Sequence, residues 1–289
     1  MTKHYILQAL NADGKSVYID DVPNGKNCNC TCAECGGKLV AKNKGRIKIH
    51  HFAHESGNDS IKCSQTALHL LAKEIIENEK RIPIPRNGQI EFYKTDFIEQ
   101  EKFMNDIIPD LYATCEKRPY IVEILVTHEV DETKLQKIMQ HKISGVEVDL
   151  SDKCFESKED VKIALFDPQN IKILYDDDTR LISARKEIVL NYGFKLKIER
   201  GGIVGCPYAR SYVPQEFCNE CVFCCAENDG TIRCGINVPE LRTSANILVN
   251  QNRVMFPSEA EEYNKSHFGW RMGQARERGI MSQMILSRR

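Results

Sequence analysis

Two sets of thiols and one pair of carboxylates in this sequence have the residue types and spacing to do chemistry. The first set opens with Cys32-Ala33-Glu34-Cys35-Gly36-Gly37, where two thiols separated by two residues precede glycines that permit a tight turn, so both sulfurs can face one ion. Fifteen residues then separate Cys35 from His51-Phe52-Ala53-His54, which adds two imidazoles. Two thiolates with two imidazoles complete a tetrahedral zinc site, and such a closed set is structural because its binding energy becomes folding energy. Cys32, Cys35, His51 and His54 are therefore the expected ligands, with Cys28, Cys30, His50 and Cys63 as further donors that could substitute.

The second set places Cys206, Cys218, Cys221, Cys224, Cys225 and Cys234 within 29 residues. A four-cysteine zinc ribbon needs four of them, and Cys206, Cys218, Cys221 and Cys234 are the expected choice. An iron–sulfur cluster is the chemical rival, because thiolates alone also hold one.

The carboxylates are Asp110, at the mouth of the run Ile107-Ile108-Pro109-Asp110-Leu111, and Glu123, inside Ile121-Val122-Glu123-Ile124-Leu125-Val126. A glutamate in so apolar a strand is costly to bury without a partner or a cation. The residues between the two acids fit adjacent antiparallel strands joined by the polar turn Cys115-Glu116-Lys117-Arg118-Pro119, which brings both carboxylates to one place. Oxygen donors of this kind suit Mg²⁺ or Mn²⁺, which activate water for attack on a phosphodiester.

The elements that must position these groups follow from periodicity. Residues 5–10 and 16–19 alternate around Asp13-Gly14 and predict a hairpin. Thr66 to Asn78 has apolar residues at 68, 71, 72, 75 and 76, one face of a helix, and carries His69 and Lys73 four residues apart. Pro83 and Pro85 break that pattern; strands are expected at 90–93, 104–113 and 121–126, a helix at 132–141 and a strand at 145–150. Helix, three strands, helix, strand is the order of a mixed α/β sheet flanked by helices. The expected division is a zinc module over 1–63, an α/β domain over 64–200, and a cysteine-rich module with a basic tail over 201–289.

Composition sets the outer bounds. A net charge of −1 gives no global attraction to polyanions, so any DNA contact must come from local patches. Two such patches are Lys38, Lys42, Lys44, Arg46 and Lys48 between the first ligand pairs, and the tail from Lys265 to Arg289, which includes Phe268 and Trp270 for stacking on bases. No run of about 18 apolar residues suits a membrane span, and the first residues lack the apolar core of a secretory signal. A cytoplasmic address is expected, and in a reducing compartment the thirteen cysteines read as metal ligands rather than disulfides.

The order Cys32-x-x-Cys35, His51-Phe52-Ala53-His54, a helix with His69 and Lys73, Pro109-Asp110 and Glu123 resembles the competence-protein CoiA-like family, whose core resembles the PD-(D/E)XK nucleases. The likeness covers roughly residues 5–150. It implies a restriction-endonuclease-like fold, DNA as substrate, Mg²⁺ or Mn²⁺ at Asp110 and Glu123, and a bacterial or phage setting of DNA uptake, recombination or phage defence. One departure matters: the nuclease pattern has lysine or glutamine two positions after the second acid, and here that residue is Leu125. Either another group positions the water or cleavage is lost; Lys73, which shares a helical face with His69, is a candidate, Thr127 and His128 are further candidates, and Glu147 and Asp149 could add a carboxylate to the metal site. Three functions compete: a metal-dependent nuclease, a silent nuclease-fold DNA-binding factor, and a zinc-dependent adaptor that recruits a recombination or defence protein.

Overall fold

A computed structural model of the chain describes residues 5–262 apart from 46, 58, 59, 105, 207–210, 216, 217, 219, 220, 222, 228, 245–247, 251, 252, 260 and 261. Arg46 and the basic tail from Lys265, including Phe268 and Trp270, lie outside the described residues. The chain divides into two compact units, Met1–Pro85 with Gln89–Asp176, and Arg86–Gly88 with Asp177–Arg289. The N-terminal thiols and the α/β elements thus share one unit, and the late cysteines belong to the other.

In the first unit the expected hairpin forms from β1 (Gln8–Leu10) and β2 (Ser16–Tyr18). A second antiparallel pair, β3 (Leu39–Lys42) and β4 (His51–His54), packs with it around Ile6, Ile19, Leu39 and Phe52. Helix α1 (Ile61–Glu79) begins five residues before Thr66, where it was expected, because the Ser60 side chain caps the Cys63 N–H, and it ends where Lys80 turns left-handed. Pro83 and Pro85 do not end regular structure; they lie in β5 (Arg81–Arg86), which pairs with β6 (Gln89–Lys94) in a separate two-stranded hairpin where prolines are tolerated. The expected strand at 90–93 is therefore not in the central sheet.

That sheet is mixed and five-stranded, in the order β11-β10-β9-β8-β7. Its strands are β7 (Phe97–Gln100), β8 (Leu111–Cys115), β9 (Arg118–Leu125), β10 (Ser144–Asp149) and β11 (Ile171–Tyr175). The expected strand over 104–113 resolves into an irregular stretch before β8, and β7 was not anticipated. Strands β8 and β9 form an antiparallel hairpin whose turn residues Glu116 and Lys117 both have positive φ, as a tight primed turn requires. Helix α2 (Glu132–His141), capped by Asp131, crosses from β9 to the parallel strand β10. Gly145 is required there, because a Cβ would meet Ile121 Cγ1 at 2.4 Å. Helix α3 (Lys158–Leu165) packs against α1.

The second unit opens with α4 (Asp177–Tyr192). A sheet of order β14-β13-β12-β16-β15 follows, built from β12 (Phe194–Glu199), β13 (Gly202–Cys206), β14 (Ser211–Pro214), β15 (Cys224–Ala226) and β16 (Ile232–Cys234). Helix α5 (Pro239–Ser244) and the pair β17 (Leu248–Asn250) and β18 (Arg253–Val254) come last. Arg86 is fully buried in this unit; it bonds Glu259 at 2.8 Å and the Val254 carbonyl at 2.9 Å and lies over the Phe256 ring. Among the described residues, no helix is long and apolar enough to cross a membrane.

Candidate functional site

The first thiol group assembles from three elements. The turn at Cys32–Gly37 is closed by Cys32 N–H to Gly37 O and Gly36 N–H to Cys32 O, which turns both knuckle sulfurs to one side. Strand β4 contributes His54, whose Nε2 lies 3.2 Å from Cys35 Sγ. Gly37 makes this approach possible, since a Cβ there would sit 3.1 Å from the His54 ring and 3.2 Å from Cys35 Sγ. The fourth donor is Cys63 in the first turn of α1, and one donor atom from each of Cys32, Cys35, His54 and Cys63 falls within 4.8 Å of the others. Three thiols and an imidazole form a donor set that can hold a metal ion, and zinc suits it.

His51 is therefore not part of the group, and Cys63 replaces it. The reason is the strand: residues three apart in β4 point to opposite faces, so His51 turns away, stacks near Tyr5 and bonds the Ile49 carbonyl at 2.9 Å. Of the other spare donors, Cys28 and Cys30 point to the carbonyls of Leu39 and Cys28, and His50 is engaged by Asp20 and Gly45. The thiols are electrostatically unlike. Burial pushes Cys32 up to about 11, whereas the Gly37 N–H and His54 bring exposed Cys35 down to about 7. The knuckle is tied to α1 by Thr66, which donates to Glu34 at 2.8 Å, and by the Lys62–Glu34 ion pair.

Helix α1 also serves the second place. A cleft of about 680 Å³ is lined by His69, Asp110, Glu123, Lys134, Glu147 and Thr127 among others. The β8–β9 register pairs Leu111 with Val122, and one further step sets Asp110 opposite Glu123. Asp110 Oδ2 accepts from the Ile124 N–H at 2.8 Å and pairs with His69 Nε2 at 3.0 Å. Burial would raise its pKa, yet His69 and that N–H hold the carboxyl below its ordinary value. Glu123 goes the other way: burial, with the Asp110 charge adding to it, lifts its pKa to about 7 despite Lys134, whose Nζ lies 2.7 Å from Oε1.

The structure thus brings His69, Asp110 and Glu123 to one cleft but does not bring Lys73 there. Lys73 follows His69 by one turn of α1, is buried, and its ammonium is held by Glu101 at 2.6 Å. The cation that meets Glu123 comes instead from Lys134, in the first turn of α2, a residue the sequence reading passed over. Leu125 is buried at the position where the lysine was looked for. Glu147 lies beside Glu123 in the parallel β9–β10 register and accepts from the Val130 N–H at 2.6 Å. Asp149 is committed to Ser151. Lys38, Lys42, Lys44 and Lys48 are all in the same unit as the cleft.

In the second unit, Cys218, Cys224 and Cys234 belong to one buried apolar cluster, and Cys221 packs against it. Cys206 ends β13 and packs against the same apolar cluster. No family model, curated protein or solved structure matches this chain.

Proposed function

We propose that this chain is a divalent-cation-dependent DNA nuclease, or a DNA-processing protein derived from one, that works in the cytoplasm in DNA uptake, recombination or phage defence. The observation that carries the reading is Asp110 set opposite Glu123 in an open cleft, with an ammonium within 3 Å of Glu123. The mixed sheet that follows α1 and the β5–β6 hairpin, with α2 crossing from β9 to the parallel strand β10, supports this reading. Zinc at Cys32, Cys35, His54 and Cys63 fits this reading as a structural ion, because all four positions are taken by protein.

Asp110 and Glu123 offer the oxygen donors that hard cations take, and Mg²⁺ or Mn²⁺ held there supplies polarisation of a phosphodiester and its attacking water. The residues of the chain do the rest. His69 orients Asp110 through Oδ2. Lys134 takes the part of the missing lysine two positions after Glu123: it opposes the rise that burial imposes on the carboxyl and offers a hydrogen-bond donor at the cleft wall. Lys62 on the rim and the lysines between the knuckle and β4 provide phosphate contacts.

The silent DNA-binding factor is favoured by one specific feature: Lys134 already satisfies Glu123, and Leu125 adds nothing polar. Single-stranded, double-stranded and branched DNA incubated with Mg²⁺ or Mn²⁺ separate the two. Cleavage by the wild type, lost by at least about 100-fold in Glu123→Gln and reduced about 10- to 100-fold in Lys134→Ala, supports the nuclease. Salt-dependent binding without cleavage supports the silent factor, and absence of both leaves the zinc-dependent adaptor.

A further inference from the structure

We infer that the second unit holds its own structural zinc ion, bound by Cys218, Cys221, Cys224 and Cys234. Strands β15 and β16 pair Cys224 directly with Cys234, so the two side chains leave the same face of the hairpin as cross-strand neighbours. The preceding segment arrives in two successive tight turns, Cys221 N–H to Cys218 O at 3.2 Å and Cys224 N–H to Cys221 O at 3.1 Å. Those turns bring Cys218 and Cys221 back to the hairpin, and both share one apolar cluster with Cys224 and Cys234. Cys218, Cys224 and Cys234 are each at most 3% exposed, packed with Leu196, Ile203 and Ile232.

The neighbouring cysteine shows the selection. Cys225 follows Cys224 on β15 and so points to the opposite face, where it packs with Val189, Val238 and Leu241. It is a core side chain. Cys224, in contrast, takes the place that the sequence had given to Cys206.

Arg185 of α4 is 3% exposed, donates from Nη1 to the Cys224 carbonyl at 3.0 Å, and lies close enough to Cys221, Cys224 and Cys225 for their charges to act on it. On binding, the four thiols release four protons to solvent and form four sulfur–zinc bonds, leaving a net charge of −2 that Arg185 partly neutralises.

Metal analysis of the full chain tests this. Wild type is expected to carry two zinc ions, Cys224→Ser one, and Cys206→Ser and Cys225→Ser two. Two ions retained in Cys224→Ser, or iron with labile sulfide in the wild type, would overturn the assignment. Because Cys224→Ser can also fail by misfolding, the wild type is in addition loaded with Co²⁺. Thiolate-to-cobalt absorption should then correspond to seven thiolates, three from the first unit and four from the second. An intensity matching three, from Cys32, Cys35 and Cys63 alone, would overturn it equally.

Discussion

At the start of α1, Cys63 joins three other donors whose atoms lie within 4.8 Å of one another, and less than two turns along the same helix His69 meets Asp110 at an open cleft of about 680 Å³. The first group is closed. Its donors come from a turn, a strand and a helix, they would fill every position of a tetrahedral ion, and Ile6, Leu39 and Phe52 pack in the same cluster as Cys32 and Cys63. The cleft is the reverse: its carboxyls are held at different protonation tendencies, one pushed down and one up, and its wall is open to a ligand. Two carboxyls driven apart in this way are the kind of pair that the proposed cation chemistry would use. The two places share α1, whose first turn, capped by Ser60, carries Cys63 and which carries His69 further along.

The largest effect should therefore come from the closed group. A structural zinc contributes on the order of 10 kcal/mol of binding energy to folding, more than a small unit has to spare. Chelation of the full chain, or Cys63→Ser, is expected to abolish the cooperative thermal transition of the first unit and to remove cation binding at the cleft. Glu123→Gln should leave zinc content unchanged. If chelation left calorimetric melting intact, the contrast between an architectural and a chemical site would fail at its first term.

A smaller and opposite effect is expected at the cleft. The folded-state pKa of Glu123, about 7, stands above its ordinary value of 4.5. A raised carboxyl favours folding while protonated, so that contribution is complete below pH about 4.5 and fades as pH rises through about 7. Glu123→Gln keeps the neutral shape, so without divalent cation it should stabilise the first unit at pH 8 by about 1–3 kcal/mol and leave stability near pH 4 almost unchanged. Denaturant unfolding at both pH values reads this directly. Equal shifts at the two would show that the glutamate is not carrying a buried charge.

How far these sites were legible in the sequence depends on which physical rule governed each residue. Helix α1 was legible because its buried face, Leu71, Ala72, Ile75 and Ile76, repeats at helical spacing. Asp110 and Glu123 were legible as a pair because a hairpin register follows from the length of its turn. Lys134 was not: it reaches Glu123 across a chain crossover, and nothing in local spacing encodes which helix residue points back over a strand. Strand β7 is only four residues long and half exposed, too short for alternation to declare itself. Pro83 and Pro85 misled because they stand in a two-stranded hairpin, where a missing donor costs little.

The exchange of His51 for Cys63 follows the same logic and gives the smallest expected effect. Spacing of three suits two ligands on a helix, but β4 is a strand whose Phe52 is buried in the core, and that fixes His54 toward the thiols and His51 away from them. The available signal for Cys63 was Ser60, which caps the helix and brings the thiol of its first turn toward the knuckle, with Ser60 Oγ 3.1 Å from Cys63 Sγ. His51→Ala should then cost no more than about 1 kcal/mol, the loss of a partly exposed ring contact and one hydrogen bond, with zinc content unchanged. His54→Ala measured alongside should release the ion, because it removes one of four donors. The pair decides between strand and helix geometry at this motif: equal zinc loss in both variants would mean that the two imidazoles face the metal together, and the assignment of Cys63 would have to be withdrawn.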